Sequence, residues 1–351
     1  MAIAMTSTYS DDTQGARVCL ERALDLVQAA VRSVPASGGR FRFLDLGAAD
    51  GGTARGLWHQ VLEAALARPD VERFELVAND LPSPGFGDLA ANVAAAIGER
   101  EDALGFLVPR SFYLPCVDAS SAQLIFSATA MHWLSARPRL IGDHTHANAT
   151  GDGEARAAFA EVAQRDWRAL LARRAEELAP GGEMVLVNLA RDDEGRFLGR
   201  TGQGACMHDT LHELWRDLRD EGRIDADAYR RGTFQNFYKS EEELTACLRD
   251  PRSEPHQRGL RLVSSRIEVV PCVYRARFDV DGDVDAFADG LMRTVRSWSE
   301  HTFVDAAGGG AEAREVASEL YRRYRDRIAS EPGRHAMDYV QSYLRIRRER
   351  A

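Results

Sequence analysis

The chain reads as a doubly wound α/β fold, a mostly parallel sheet flanked by helices, with a helical cap inserted into it. Three observations predict this. A short apolar run at residues 41–46 leads through a glycine-rich turn into an amphipathic helix. A second apolar run at 74–78 ends in Asn79-Asp80, which puts a carboxylate at the end of a strand. After residue 200, helical and aromatic-rich stretches interrupt the alternation of strand and helix, as an inserted cap would.

The first unit reads FRFLDLGAADGGT from Phe41 to Thr53. Phe41, Phe43, Leu44 and Leu46 make an apolar run too short for a helix, bounded by small residues, which is the pattern of a buried parallel strand. Asp45 sits near its carboxyl end. Gly47, Gly51 and Gly52 then allow a tight turn where backbone can approach a ligand closely. The helix that follows carries Leu57, Val61, Leu62 and Leu66 on one face. Strand, glycine turn and helix form the cofactor-binding unit of doubly wound folds. The turn lacks the G-x-G-x-x-G pyrophosphate fingerprint. Its carboxylate, two positions before the first glycine, suits a cofactor with a cationic amino-acid portion such as S-adenosylmethionine (SAM).

The remaining elements follow in order. Residues before Asp11 read as a tail, and 16–32 as a helix with Val18, Leu20, Ala23, Leu24, Val27 and Val31 as its apolar positions. Asp80, closing the second strand, stands where such folds bind a ribose diol. Asp88 reads as the cap of a helix to Ile97, and 104–108 as a strand running into Ser111-Phe112-Tyr113. Residues 123–128 (QLIFSA) form a strand with Met131-His132-Trp133-Leu134-Ser135 at its carboxyl end. Ligands bind beyond those ends in open α/β sheets, so His132 and Trp133 are expected over the cofactor crevice.

The polar stretch 138–153 holds Asp143, His144 and His146. A D-H-x-H in a surface loop is a pattern that chance supplies, and no metal is assigned to it. A helix over 154–178, a Pro180-Gly181-Gly182 stop and a strand over 183–189 come next. Residues 203–223 read as helical, and Ser240 with Glu243 makes a capping box. Residues 260–270 and 271–280 read as an antiparallel edge pair, and 284–301 and 311–328 as helices. Arg322, Arg323, Arg325 and Arg327 fit a solvated helix face paired with acids, and 345–350 a basic tail without a role.

Composition narrows the function. The 351 residues are 44% hydrophobic, enough for a full core, and the net charge of −9 argues against a nucleic-acid footprint. Five scattered cysteines without a C-x-x-C pair fit a reducing cytoplasm. The first residues lack a signal-peptide pattern, and no stretch approaches a membrane span.

Several stretches together resemble the SABATH methyltransferases, SAM-dependent enzymes acting on small molecules such as salicylate, benzoate and theobromine precursors. They are LDLGAADGGT, ANDLP, the SFY at Ser111 to Tyr113, SATAMHWLS, QRDWRALLARRAEELAPGGEMVL, LRDEGRID and TFQNFYKSEEEL, in order from about Tyr9 to Arg327. The glycine-turn variant and HWLS look more like bacterial members than plant ones. The resemblance implies a Rossmann-like sheet of about seven strands, a helical cap and often a homodimer. It divides a single domain over 1–351 into a core of approximately 16–200 and 258–282 and a cap of approximately 136–165, 201–257 and 284–330. Asp45 and Gly47 would line the methionine end of SAM, Asp80 would hold the ribose, and Leu81, Ser111 and Phe112 would contact the adenine. Tyr9 would close over the cofactor. Trp133 would bind the carboxylate of the substrate, a small acid, with Thr129 and His132 beside it. The apolar residues Leu214, Trp215, Phe234, Phe237 and Tyr238 suggest a hydrophobic body behind that carboxylate, with Phe234 against it, although the core of a cap would read the same.

Three departures from the family pattern matter. The family's carboxylate-binding glutamine falls near Ala16, with Gln14 and Arg17 as displaced candidates. The asparagine of the glycine turn is Thr53, and two positions described in some members as a magnesium site are Gly232 and Gln235. The implied reaction is methyl transfer to a carboxylate, which needs orientation and no general base. Transfer to a ring nitrogen or phenol, with His132 as base, is the alternative on the same scaffold. A nicotinamide oxidoreductase, disfavoured by the missing fingerprint, and a non-catalytic SAM-binding scaffold stand further off.

Overall fold

The computed structural model describes residues 9–82, 86–202 and 204–350. Its strands are β1 (Arg40–Leu46), β2 (Arg73–Asp80), β3 (Ala103–Pro109), β4 (Ala122–Ala128), β5 (Leu178–Leu189), β6 (Leu260–Val270) and β7 (Tyr339–Arg348). They form one sheet in the order β3-β2-β1-β4-β5-β7-β6. The pairs from β3 to β5 are parallel, and β7 runs antiparallel to both neighbours. The strand order reverses between β1 and β4, and their carboxyl ends open the crevice in which doubly wound folds bind ligands.

Around the sheet lie α1 (Tyr9–Asp12), α2 (Gln14–Glu21), α3 (Leu24–Ser33), α4 (Arg55–Leu66), α5 (Phe86–Ile97), α6 (Gly153–Glu177), α7 (Met207–Asp220), α8 (Ala226–Arg231), α9 (Glu241–Arg249), α10 (Glu254–Gln257), α11 (Val273–Asp281), α12 (Val284–Ala306) and α13 (Gly310–Ser330). Side chains alternate across the pleat, so each strand feeds two cores. Phe41, Phe43, Phe74, Leu124 and Phe126 pack on α3, α4 and α5. Leu44, Leu46, Val77, Ile125, Met184 and Leu186 pack on the opposite face with α6 and α9. A third core, around Trp215, Phe234, Tyr238, Phe303 and Tyr321, joins α7, α8, α12 and α13. No helix among the described residues is long and apolar enough to cross a membrane.

Several expectations need correction. Residues 271–280 are not a strand: Cys272 caps α11, whose Val273–Asp281 has no buried residue and lies on the surface. The antiparallel partner of β6 is the supposed basic tail, which enters the sheet as β7 between β5 and β6. Its arginines had masked it. Tyr343, Leu344 and Ile346 are buried, while Arg345 and Arg347 reach out to Glu183 at 2.5 Å. The expected helix over 16–32 is two helices, α2 and α3. Tyr9 and Ser10 belong to α1 rather than to a tail; residues 1–8 lie outside the described residues. Asp88 stands in the first turn of α5, not at its cap. The Ser240–Glu243 capping box is present.

Candidate active site

The site is built where the chain leaves β1. Gly47 has φ +74°, and a Cβ there would lie 2.4 Å from the Ala130 Cβ, so only glycine lets the turn press against the segment that follows β4. Gly47 and Ala48 donate their backbone N–H groups to Asn79 O at 2.9 and 3.0 Å, tying the turn to the end of β2. Two carboxylates meet there, Asp45 buried and Asp80 partly buried. Asp45 accepts from the Trp58 indole at 2.6 Å, and burial nevertheless pushes its pKa up to about 7, with the Asp80 charge adding to the rise. Asp80 accepts backbone N–H groups from Ala49 and Leu81, both at 2.6 Å; burial raises its pKa as well, against those bonds.

The N-terminal helices close one side. Ser10 donates its N–H to Asp50 at 3.0 Å and its hydroxyl to the same carboxylate, while Thr53 N–H donates to Ser10 Oγ at 2.8 Å. That pins α1 onto the glycine turn and brings Tyr9 against Thr129, whose hydroxyl interacts with the phenol. The opposite side is the 111–117 loop. The buried Arg174 donates to Phe112 O at 2.8 Å and Leu114 O at 3.0 Å, and it pairs with the buried Glu177 at 2.7 Å. Glu177 in turn accepts the Cys116 N–H at 2.6 Å.

The resulting cleft has a volume of ≈ 480 Å³, within the usual range for small-molecule sites. It brings together Tyr9, Asp45, Gly47, Asp80, Leu81, Ser111, Phe112, Thr129 and Trp133 of the residues anticipated from sequence. It does not take in His132 or Phe234. His132 packs behind Trp133 with ring centres 5.2 Å apart, and Phe234 sits in the core shared by α7, α8, α12 and α13. Burial, aided by the nearby Lys239 charge, holds the His132 pKa down to about 3, so its imidazole is neutral. Among the described residues the indole N–H groups of Trp58, Trp167 and Trp215 are bonded, whereas those of Trp133 and Trp298 have no hydrogen-bond partner, and of these two only Trp133 lines the cleft.

Gln14 and Arg17 are the displaced candidates for the family's carboxylate-binding glutamine. Neither lines the cleft; both face a groove between α2 and α11, and Ala16 and Leu20 are the α2 residues beside the cleft. Not anticipated from sequence are the wall residues Ser135 and Gln235. For Ser135 the signal was present, two positions after Trp133. The polar 138–153 stretch is not the surface loop expected: His144, Thr145 and His146 are buried against α7, with His144 on His212 and His146 on His208. Among the described residues, no group of three or more His, Cys, Asp or Glu side chains is arranged to hold a metal ion.

The cleft suits a cation-bearing cofactor. A buried carboxylate pushed toward neutrality gains most from a positively charged partner. Comparison with known proteins agrees. The family of SAM dependent carboxyl methyltransferases matches residues 5–349. This chain belongs to that family.

Relatives of this carboxyl methyltransferase family member include jasmonate O-methyltransferase of Arabidopsis thaliana, 28% identical over 51% of this chain and 54% of that protein. Indole-3-acetate O-methyltransferase 1 of Oryza sativa subsp. japonica is 29% identical over 45% of each. The chain thus spans about half the length of the curated relatives it matches. Among solved structures, loganic acid methyltransferase with SAH superposes with a TM-score of 0.77 at 19% identity, covering 98% of this chain and 96% of that one. That likeness establishes a shared fold.

Proposed function

We propose that the protein transfers a methyl group from SAM to the carboxylate of a small, largely hydrophobic acid, giving a methyl ester. The observation that carries this reading is the indole N–H of Trp133, unbonded among the described residues, in the cleft wall beyond the end of β4. SAM, when bound, supplies an electrophilic methyl group on a positively charged sulfur. Asp45 and the Gly47 turn would hold its amino-acid portion, Asp80 its ribose hydroxyls, and Leu81, Ser111 and Phe112 its adenine, with Tyr9 closing over it. A carboxylic acid with an ordinary pKa near ~4 is already ionised at neutral pH, so no base is required. What the chain contributes is orientation, a large share of such a barrier. The Trp133 indole would hold one carboxylate oxygen, with Thr129 beside it.

His132 also favours a carboxylate over a phenol. An imidazole whose conjugate acid titrates at about 3 is far too weak a base to deprotonate a phenol. Its neutral ring can still donate a hydrogen bond and support the position of Trp133. The buried, free cysteines and the family resemblance support a cytoplasmic homodimer as the working form.

Labelled SAM offered with aromatic, indolic and fatty acids, beside their amide and phenol counterparts, tests the reading. Methyl ester should form from acids alone, and Trp133→Phe should lose it while still binding S-adenosylhomocysteine (SAH). Transfer to phenols or amines in place of acids would overturn the assignment. SAH binding with no transfer to any acceptor would favour a non-catalytic scaffold.

A further inference from the structure

We propose that Asp166, a carboxylate on α6 that does not line the cleft, is a positioning residue for methyl transfer: through Ser135 it fixes the placement of the Trp133 indole. The inference rests on the function proposed above and deepens it.

Past β4 the chain is irregular, and Trp133 meets its neighbour only at an isolated bridge to Asn236. A segment without a ladder must have its backbone groups satisfied one at a time. Phe237 N–H donates to His132 O at 3.1 Å, and the Tyr113 hydroxyl donates to Trp133 O at 2.9 Å. Leu134 N–H donates to Gln235 O at 2.9 Å, and Gln235 Nε2 donates to Leu134 O at 2.8 Å. Ser135 completes the series. Its N–H donates to Asp166 Oδ2 at 2.7 Å and its hydroxyl to Asp166 Oδ1 at 2.8 Å. These last two are the charge-assisted pair of the set, and two bonds to one planar carboxylate fix direction as well as distance.

The carboxylate is itself prepared. Asp166 is 6% exposed, and a buried charge persists only where other charges and donors compensate it. Lys239, also buried, lies over the Trp167 ring at 5.6 Å and interacts with the charges of Asp166 and Glu243, while Arg165 reaches Asp166 at 3.9 Å. The Tyr113 hydroxyl faces the same carboxylate. One buried charge cluster therefore borders both halves of the His132-Trp133 pair, Asp166 beyond Trp133 and Lys239 beside His132. Two turns along α6, Arg174 and Glu177 hold the 112–117 loop on the other wall, so one helix orders the two walls through separate polar groups.

The test compares Asp166→Asn, Ser135→Ala, Ser135→Thr and the Asp166→Asn/Ser135→Ala double variant. SAH affinity is measured by calorimetry, and kcat and KM are measured with an acid that the wild type methylates. In Asp166→Asn, kcat/KM for the acid should fall ~10- to 100-fold, as expected for a misplaced reacting group. The SAH Kd should stay within about twofold. The double variant should be no worse than Asp166→Asn, because both changes break one linkage, and Ser135→Thr should keep most activity. If Asp166→Asn does not fold, Ser135→Ala against Ser135→Thr carries the same comparison without altering a charge. Turnover unchanged in Asp166→Asn and Ser135→Ala overturns the proposal, as does a parallel loss of SAH binding and turnover. A wild type that methylates no acid overturns the function reading and this inference with it; a wild type that does, matched by its variants, overturns the inference alone.

Discussion

Acidification should destabilise this protein through its buried histidines, and the effect can be worked group by group. His132, His146 and His208 form one cluster: the Tyr238 ring lies 5.7 Å from His132 and 4.7 Å from His146, and His146 lies 4.1 Å from His208. Burial holds the pKa values of His132 and His208 at about 3 and that of His146 well below its usual range, with the neighbouring histidines opposing its protonation further. In the unfolded chain each ring titrates near ~6.5. Between those values the unfolded state binds more protons. The stabilising contribution is therefore complete above pH ~6.5 and is lost as pH falls. At pH 5 the loss depends on the gap of about 1.5 units to the unfolded value, ~2 kcal/mol each for His132 and His208, with His146 adding in the same direction. Asp45 acts with the opposite sign. Raised to about 7, it gains by taking up a proton on folding and returns ~2 kcal/mol over the same interval. The net loss from His132, His208 and Asp45 is ~2 kcal/mol, and His146, His212 and His301, all held low by burial, add to it with the same sign, against a typical total stability of ~5–15 kcal/mol. Urea unfolding followed by tryptophan fluorescence at pH 7, 6 and 5, at constant ionic strength, measures it. His208→Gln should lower the pH slope below pH 6 by ~1.4 kcal/mol per unit. Stability that stays flat from pH 7 to 5 in an Asp45→Asn background would refute the reasoning.

Three further outcomes are expected. SAM affinity should fall by up to ~tenfold per unit as pH drops below about 7, where Asp45 takes up a proton, and be flat above it; calorimetry on Asp45→Asn should show weaker, pH-independent binding. Arg174→Ala strands the buried Glu177 and frees the 112–117 loop, and should cost ~3–5 kcal/mol by calorimetric unfolding. Deleting residues 339–351 removes β7 from between β5 and β6; burial of Val340, Leu344 and Ile346 alone contributes ~1.5–3 kcal/mol each, so circular dichroism should show no cooperative melt.

The parallel half of the sheet was legible in the sequence, because strands buried on both faces are nearly continuous apolar runs: FRFLDL, FELVA and QLIFSA announce themselves locally. So was most of the wall of the cleft, since a glycine turn and carboxylates at strand ends are short-range chemistry. Asp45, Gly47, Asp80, Ser111, Phe112 and Trp133 line one cleft as their places on the elements implied. The edge of the sheet was not legible. Tyr339–Arg348 pairs with strands some 160 and 80 positions earlier, and its arginines, satisfied by Glu183 and backbone oxygens, hide an apolar strand behind basic residues.

Residue types and local turns were thus determined by the sequence alone, because glycine, proline and apolar spacing act over a few bonds. Partners were decided only by tertiary structure. Asp166 on Ser135, Arg174 on Phe112 O and His146 on His208 join residues 31 to 62 positions apart, and nothing in the local pattern of either partner specifies the other. The same burial that brings them together sets their charge. It keeps the His132 imidazole neutral and lifts Asp45 toward neutrality, which no reading of residue type could supply.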